Sequence, residues 1–192
     1  MINIFFNLEL LILDFFTAFG LYSFLFLILS IFIKKIAIFQ FDNQAKKFIS
    51  FVGVLYIIFW LLGTIVYYVE CNSEEKNAMI DRIFGKYWFG VWIQPLFWFA
   101  LSQIFRIKLF SKNILIRIIA SFFLIISIER LIIIISSFHR DYLPSSWTMY
   151  RQLDIYPSNF ILSILMKILI FMLFVGLYTF ISNKINQLRN NK

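Results

Sequence analysis

Apolar residues run along this chain in long unbroken stretches, and charged residues gather in short segments between them. Five stretches stand out, over residues 10–33, 48–69, 87–110, 114–137 and 159–182. A helix needs about 20 apolar residues to cross roughly 30 Å of hydrocarbon, and each stretch meets that length. The stretches are continuous rather than alternating, which argues against the ~10-residue dyad pattern of barrel strands. The pattern therefore predicts an all-α, polytopic membrane helix bundle. It has five transmembrane helices in a single membrane domain, residues 1–192. No basic segment and no small-residue cleavage site frame the first stretch as a signal peptide, so it is expected to be retained.

The charges between the stretches predict an orientation. The first connection holds Lys34, Lys35, Lys46 and Lys47 against Asp42, and the third holds Arg106, Lys108 and Lys112. The tail holds Lys184, Arg189 and Lys192. The second connection sets Lys76, Arg82 and Lys86 against Glu70, Glu74, Glu75 and Asp81, and the fourth balances Arg140 and Arg151 with Asp141 and Asp154. Basic residues thus favour alternate connections, which places the N-terminus outside and the C-terminus in the cytoplasm. Tyr67, Tyr68, Tyr87, Trp88 and Trp92 fall where the outer interface is expected.

Composition sharpens this picture. The chain is 61% hydrophobic and 15% charged, with a mean hydropathy of +0.85. Soluble domains hold roughly 45–50% apolar and about 25% charged residues, and a chain this small cannot bury the excess. Lipid is the expected surroundings of that excess. The net charge of +8 then reads as topology rather than as a nucleic-acid surface. One cysteine, Cys71, and one histidine, His139, exclude an internal disulfide, a zinc knuckle, a cysteine-ligated iron–sulfur cluster and a bis-histidine haem built by this chain alone.

Ionisable groups inside spans are costly and each needs a reason. Glu129 and Arg130 lie roughly 13 Å from the outer end of the fourth span, and Lys167 roughly 12 Å into the fifth. Asp14 enters the first span at a shallower depth, and Gln94, followed by Pro95, is at a comparable level in the third. Two acids against two bases in one layer predict pairing across helices, with Glu129–Lys167 as the favoured pair. The layer Asp14, Gln94, Glu129, Arg130 and Lys167 is either glue between helices or a proton relay or quinone-headgroup contact opening outward. Arg117, near the cytoplasmic end, is expected to snorkel to the surface. Gln94-Pro95 is the one candidate helix interruption.

The fourth connection carries a longer signature. Glu129-Arg130 in a span, followed by His139-Arg140-Asp141-Tyr142-Leu143-Pro144-Ser145-Ser146-Trp147, resembles the NrfD/PsrC-type membrane subunits. The nearest resemblance is to the ActC subunit of alternative complex III, a quinol:cytochrome c oxidoreductase. The likeness extends through residues 77–87 and 102–105, and covers about the C-terminal half of a typical family member. Gly63 stands where the family has a carboxylate in the second span, Ser102 where it has proline, and Tyr156 near the place of an aspartate in the last loop.

The resemblance implies a subunit, or half-subunit, of a quinol-oxidising complex in the bacterial inner membrane, not catalytic alone. It further implies no cofactor or metal held by this chain, with quinol in the complex and iron–sulfur clusters and c-type haem on partner subunits. A second membrane subunit is expected to supply the missing helices. His139, Arg140, Asp141, Tyr142, Pro144 and Trp147 are the expected partner-facing loop. Two rival readings remain: a transporter or channel fragment using the charged layer as its site, and a structural membrane protein without a redox role. Broken helices mark the first of these.

Overall fold

The computed structural model describes residues 2–33, 35–86, 88–111, 113–128, 130–132 and 156–190. Among the described residues no strand is present. The described residues include these helices, in order: α1 (Ile2–Phe32), α2 (Ile36–Glu70), α3 (Ser73–Phe84), α4 (Trp88–Ile104), α5 (Lys108–Ser111), α6 (Ile114–Ile125) and α7 (Phe160–Asn190). Three of them begin at an asparagine whose side-chain oxygen accepts from otherwise orphaned amides of the first turn. Asn113 accepts from Leu115 N and Ile116 N, and Asn159 from Ile161 N and Leu162 N. Asn72 and Glu75 form a reciprocal capping box at α3.

α1, α2 and α7 are long and apolar enough to cross a membrane, over Asn7–Phe32, Ile36–Glu70 and Phe160–Arg189. Large apolar side chains such as Leu62, Ile65, Leu165, Leu169 and Leu173 lie exposed along them. Water would penalise such surfaces over several turns, so these helices mark a membrane protein. The other two expected spans are shorter helices. α4 has 17 residues and ends in a turn at 105–107 before α5. α6 has 12 residues and stops at Ile126, whose backbone is extended. Pro95 lies inside α4 without ending it, although the ring removes one donor to the carbonyl four residues back.

The first connection is also different from its expectation. No glycine or proline interrupts residues 36–47, and α2 begins at Ile36. Its 35 residues therefore extend well beyond one hydrocarbon thickness. Asp42 and Lys46, expected in a loop, sit on adjacent turns of this helix.

α1 is the centre of the bundle. Of its most apolar stretch 44% is buried, against 28% for α2 and 17% for α7. It packs on α2, α6 and α7, while α2 also packs on α4 and α7, and α4 on α6. Phenylalanines fill the middle: Phe16, Phe19 and Phe171 are fully enclosed, and Phe19 meets both Phe105 and Phe171 edge-on at 4.9 and 6.0 Å. Edge-to-face rings at these separations are the favoured aromatic arrangement. Two glycines let backbones approach. A methyl on Gly20 would lie 2.5 Å from Ile125 Cγ1 and 2.7 Å from the Ser121 carbonyl, and one on Gly53 would lie 2.6 Å from Ser102 Cβ. α1 and α6, and α2 and α4, approach closely at these points.

Candidate functional site

α6 and α7 make little direct contact among the described residues, and the space between them at one end of the bundle is a cavity of about 240 Å³. α1 contributes Asp14 and Thr17 to its wall, three residues apart on one helical face. α7 contributes Phe160, Ser163, Ile164 and Lys167, the i, i+3, i+4, i+7 stripe of its first two turns. Arg130 and Trp98 also border it.

Lys167 Nζ lies 2.6 Å from Asp14 Oδ1, and both side chains are mostly buried. The favoured pairing of Lys167 with Glu129 is not what the described residues present: Asp14 is the partner in view, and Glu129 lies outside the described residues. Tyr156, nine-tenths buried, covers the pair, with the Lys167 ammonium 4.9 Å from its ring centroid. Burial first and the Asp14 carboxylate second hold the Tyr156 phenol above its ordinary range. It stays protonated and keeps a donor beside Asp14. Among the described residues, Asp14 Oδ2 and Ser163 Oγ are buried without a hydrogen-bond partner. A cation, a carboxylate with one free oxygen and a free hydroxyl therefore share a small, mostly apolar chamber.

The break in α6 borders this chamber. Ile126 takes φ −109° and ψ 118°, and the chain turns helical again at Ile128. The new turn is capped by Ser127, whose hydroxyl accepts from Arg130 N at 3.2 Å and whose carbonyl accepts from Leu131 N. Gln94 Oε1 accepts from Ile128 N at 2.8 Å. A backbone amide released from a helix and shielded from water needs such a partner, and Gln94 supplies one from α4. Gln94 thus meets the fourth stretch through the backbone, not through the ion pair. Replacing it with leucine orphans the Ile128 amide. The expected result is a loss of about 1–2 kcal/mol, read as about tenfold faster amide exchange at Ile128. Unchanged exchange there would show that Gln94 has no such role.

A second ionic cluster was not legible from the sequence. Arg117 does not snorkel. It is 3% exposed, and its two terminal nitrogens reach Asp42 at 2.9 and 2.6 Å in a bidentate pair. Arg117 also donates to Ser23 Oγ at 3.3 Å and lies 4.4 Å from the Phe26 ring centroid. Lys46 adds a third charge, 2.8 Å from Asp42. The reason is position on the helix. Arg117, Ala120, Ser121 and Leu124 form the buried stripe of α6, so the guanidinium faces α1 and α2. That stripe of small and apolar residues was the available signal.

His139, Arg140, Asp141, Tyr142, Pro144 and Trp147 lie outside the described residues. Among the described residues no three His, Cys, Asp or Glu side chains come together in a way that could hold a metal ion. No family model matches the chain, and neither a curated protein nor a solved structure is significantly similar to it.

Proposed function

We propose that this chain is an integral membrane subunit, or half-subunit, of a quinol-oxidising respiratory electron-transfer complex in the bacterial inner membrane. In this reading five helices cross the bilayer, the third and fourth through α4 and the broken α6, with the N-terminus outside and the C-terminus in the cytoplasm. Iron–sulfur and c-type cytochrome subunits carry the electrons, quinol is the reductant, and a second membrane subunit completes the helices. The chain scaffolds these partners and conducts protons at the outer side.

The Asp14–Lys167 pair beneath Tyr156 is the observation that carries the proton role. A carboxylate paired through one oxygen, with the other unpartnered among the described residues and set in a cavity, can accept a proton when its ammonium partner moves away. Intramembrane ionisable groups mark such paths often enough to make this the working reading. The signature over residues 129–150, described above as a resemblance, supplies the redox setting.

Co-purification tests the setting: the chain is expected to bring down iron–sulfur and c-type haem subunits. In that complex, Lys167→Met should slow quinol-dependent cytochrome c reduction by about tenfold or more, and Lys167→Arg should restore most of it. Full turnover in Lys167→Met with reduced thermal stability would leave the pair as glue between α1 and α7. The interruption of α6 favours a second reading, a transporter or channel fragment, because discontinuous helices frame substrate sites in such proteins. Substrate-dependent flux in vesicles containing this chain alone would support it over the first.

A further inference from the structure

At the opposite end from the charged cavity, a groove of about 400 Å³ opens between α2, the end of α4 and α7. Lys47 and Arg106 stand in its wall with Tyr178, and the apolar Phe51 and Val54 continue along α2. The two cations differ from Lys46 and Arg117 nearby, which share the carboxylate of Asp42. Among the described residues neither Lys47 nor Arg106 forms an ion pair, and both are exposed.

The walls are fixed before any ligand arrives. Ser50 Oγ donates to the Ser102 carbonyl at 2.8 Å, and Gln103 Nε2 donates to the Ser50 carbonyl at 2.9 Å. These bonds tie α2 to the end of α4, three residues before Arg106. Gln103 Oε1 then accepts from an Arg106 terminal nitrogen at 3.3 Å. On the third side Tyr178 stacks on Phe51 at 5.9 Å between centroids. Two unpaired cations are thus held at the mouth of a groove whose interior becomes apolar within a turn of α2.

We propose that this groove seats the headgroup of an anionic phospholipid from the leaflet at the lysine-rich end. The phosphodiester lies between Lys47 and Arg106, and an acyl chain follows Phe51 and Val54. A soluble anion would have no use for the exposed Phe51 and the half-buried Val54 below the charges, whereas a lipid covers both. Basic pockets between transmembrane helices recognise anionic headgroups in this way. The proposal rests on the membrane nature of the chain and is independent of the quinol reading.

The test is competitive retention of phosphatidylglycerol and phosphatidylcholine on the full chain, followed by native mass spectrometry from mixed vesicles of the two lipids. The wild type should retain phosphatidylglycerol preferentially. Lys47→Gln and Arg106→Gln should each weaken that preference about fivefold, and the double variant about thirty-fold. Lys184→Gln with Arg189→Gln, which removes the same charge from the tail, should leave it unchanged, and Arg106→Lys should retain most of it. Both target side chains are exposed, so the fold should tolerate the changes, and circular dichroism checks this. Equal retention of both lipids, an unaffected double variant, or an equal loss in the tail variant would overturn the proposal. So would complete displacement of the lipid by millimolar inorganic phosphate, which would assign the groove to soluble anions.

Discussion

Asp42→Ala is expected to lower the unfolding free energy by about 3–5 kcal/mol, the range found when one member of a buried ion pair is removed. Most of the loss comes from what remains. Arg117 keeps its charge and its place on the buried stripe of α6, but holds only the Ser23 hydroxyl and the Phe26 ring face. Lys46, mostly buried and one turn away on the same helix, also loses its carboxylate but keeps the Ser111 carbonyl as an acceptor. The companion Asp42→Leu with Arg117→Met should recover most of the stability, since well-packed apolar replacements of buried pairs are often neutral or better. Unfolding in bicelles by steric trapping gives both values. A loss below about 1 kcal/mol in the single variant, the level of exposed pairs, would mean that water reaches the cluster.

The second large effect is expected at Gly53. A methyl there meets Ser102 Cβ at 2.6 Å, and Ser102 cannot swing away freely: its hydroxyl donates to the Phe99 carbonyl at 2.6 Å and its carbonyl accepts from Ser50. Gly53→Val should therefore cost about 3 kcal/mol through forced separation of α2 and α4. Adding Ser102→Gly should return much of it by clearing the facing Cβ. Gly176→Ala is the control. Nothing lies within 4 Å of a methyl at that position, and alanine in a helix interior should be neutral or up to about 1 kcal/mol stabilising. Equal effects at Gly53 and Gly176 would remove close packing as the explanation.

Both predictions act at contacts the sequence did not announce. Asp42 read as a lone acid among four lysines because helix α2 was expected to begin at the apolar run. The absence of glycine and proline upstream carried the helix further and put Asp42 one turn from Lys46. The distance of Arg117 from the end of the span predicts a terminal cation, but the side of the helix it occupies turns it inward. The charged layer was more legible. Asp14 and Lys167 were recognisable as intramembrane ions from hydropathy alone, whereas their pairing required the packing of α7 against α1. Proline predicts a broken helix at Gln94-Pro95. It occurs instead at Ile126–Ser127, and Gln94 is the side chain that makes the break tolerable by accepting the Ile128 amide.

Hydropathy by itself determined that this chain is helical and belongs to a membrane, because apolar surface of this extent and a backbone that must satisfy its own hydrogen bonds leave few alternatives. Tertiary structure alone decided which ions meet and where a helix stops. Those outcomes depend on the facing of each helix and the separation of its neighbours, and neither quantity is carried by the local pattern of apolar and polar residues.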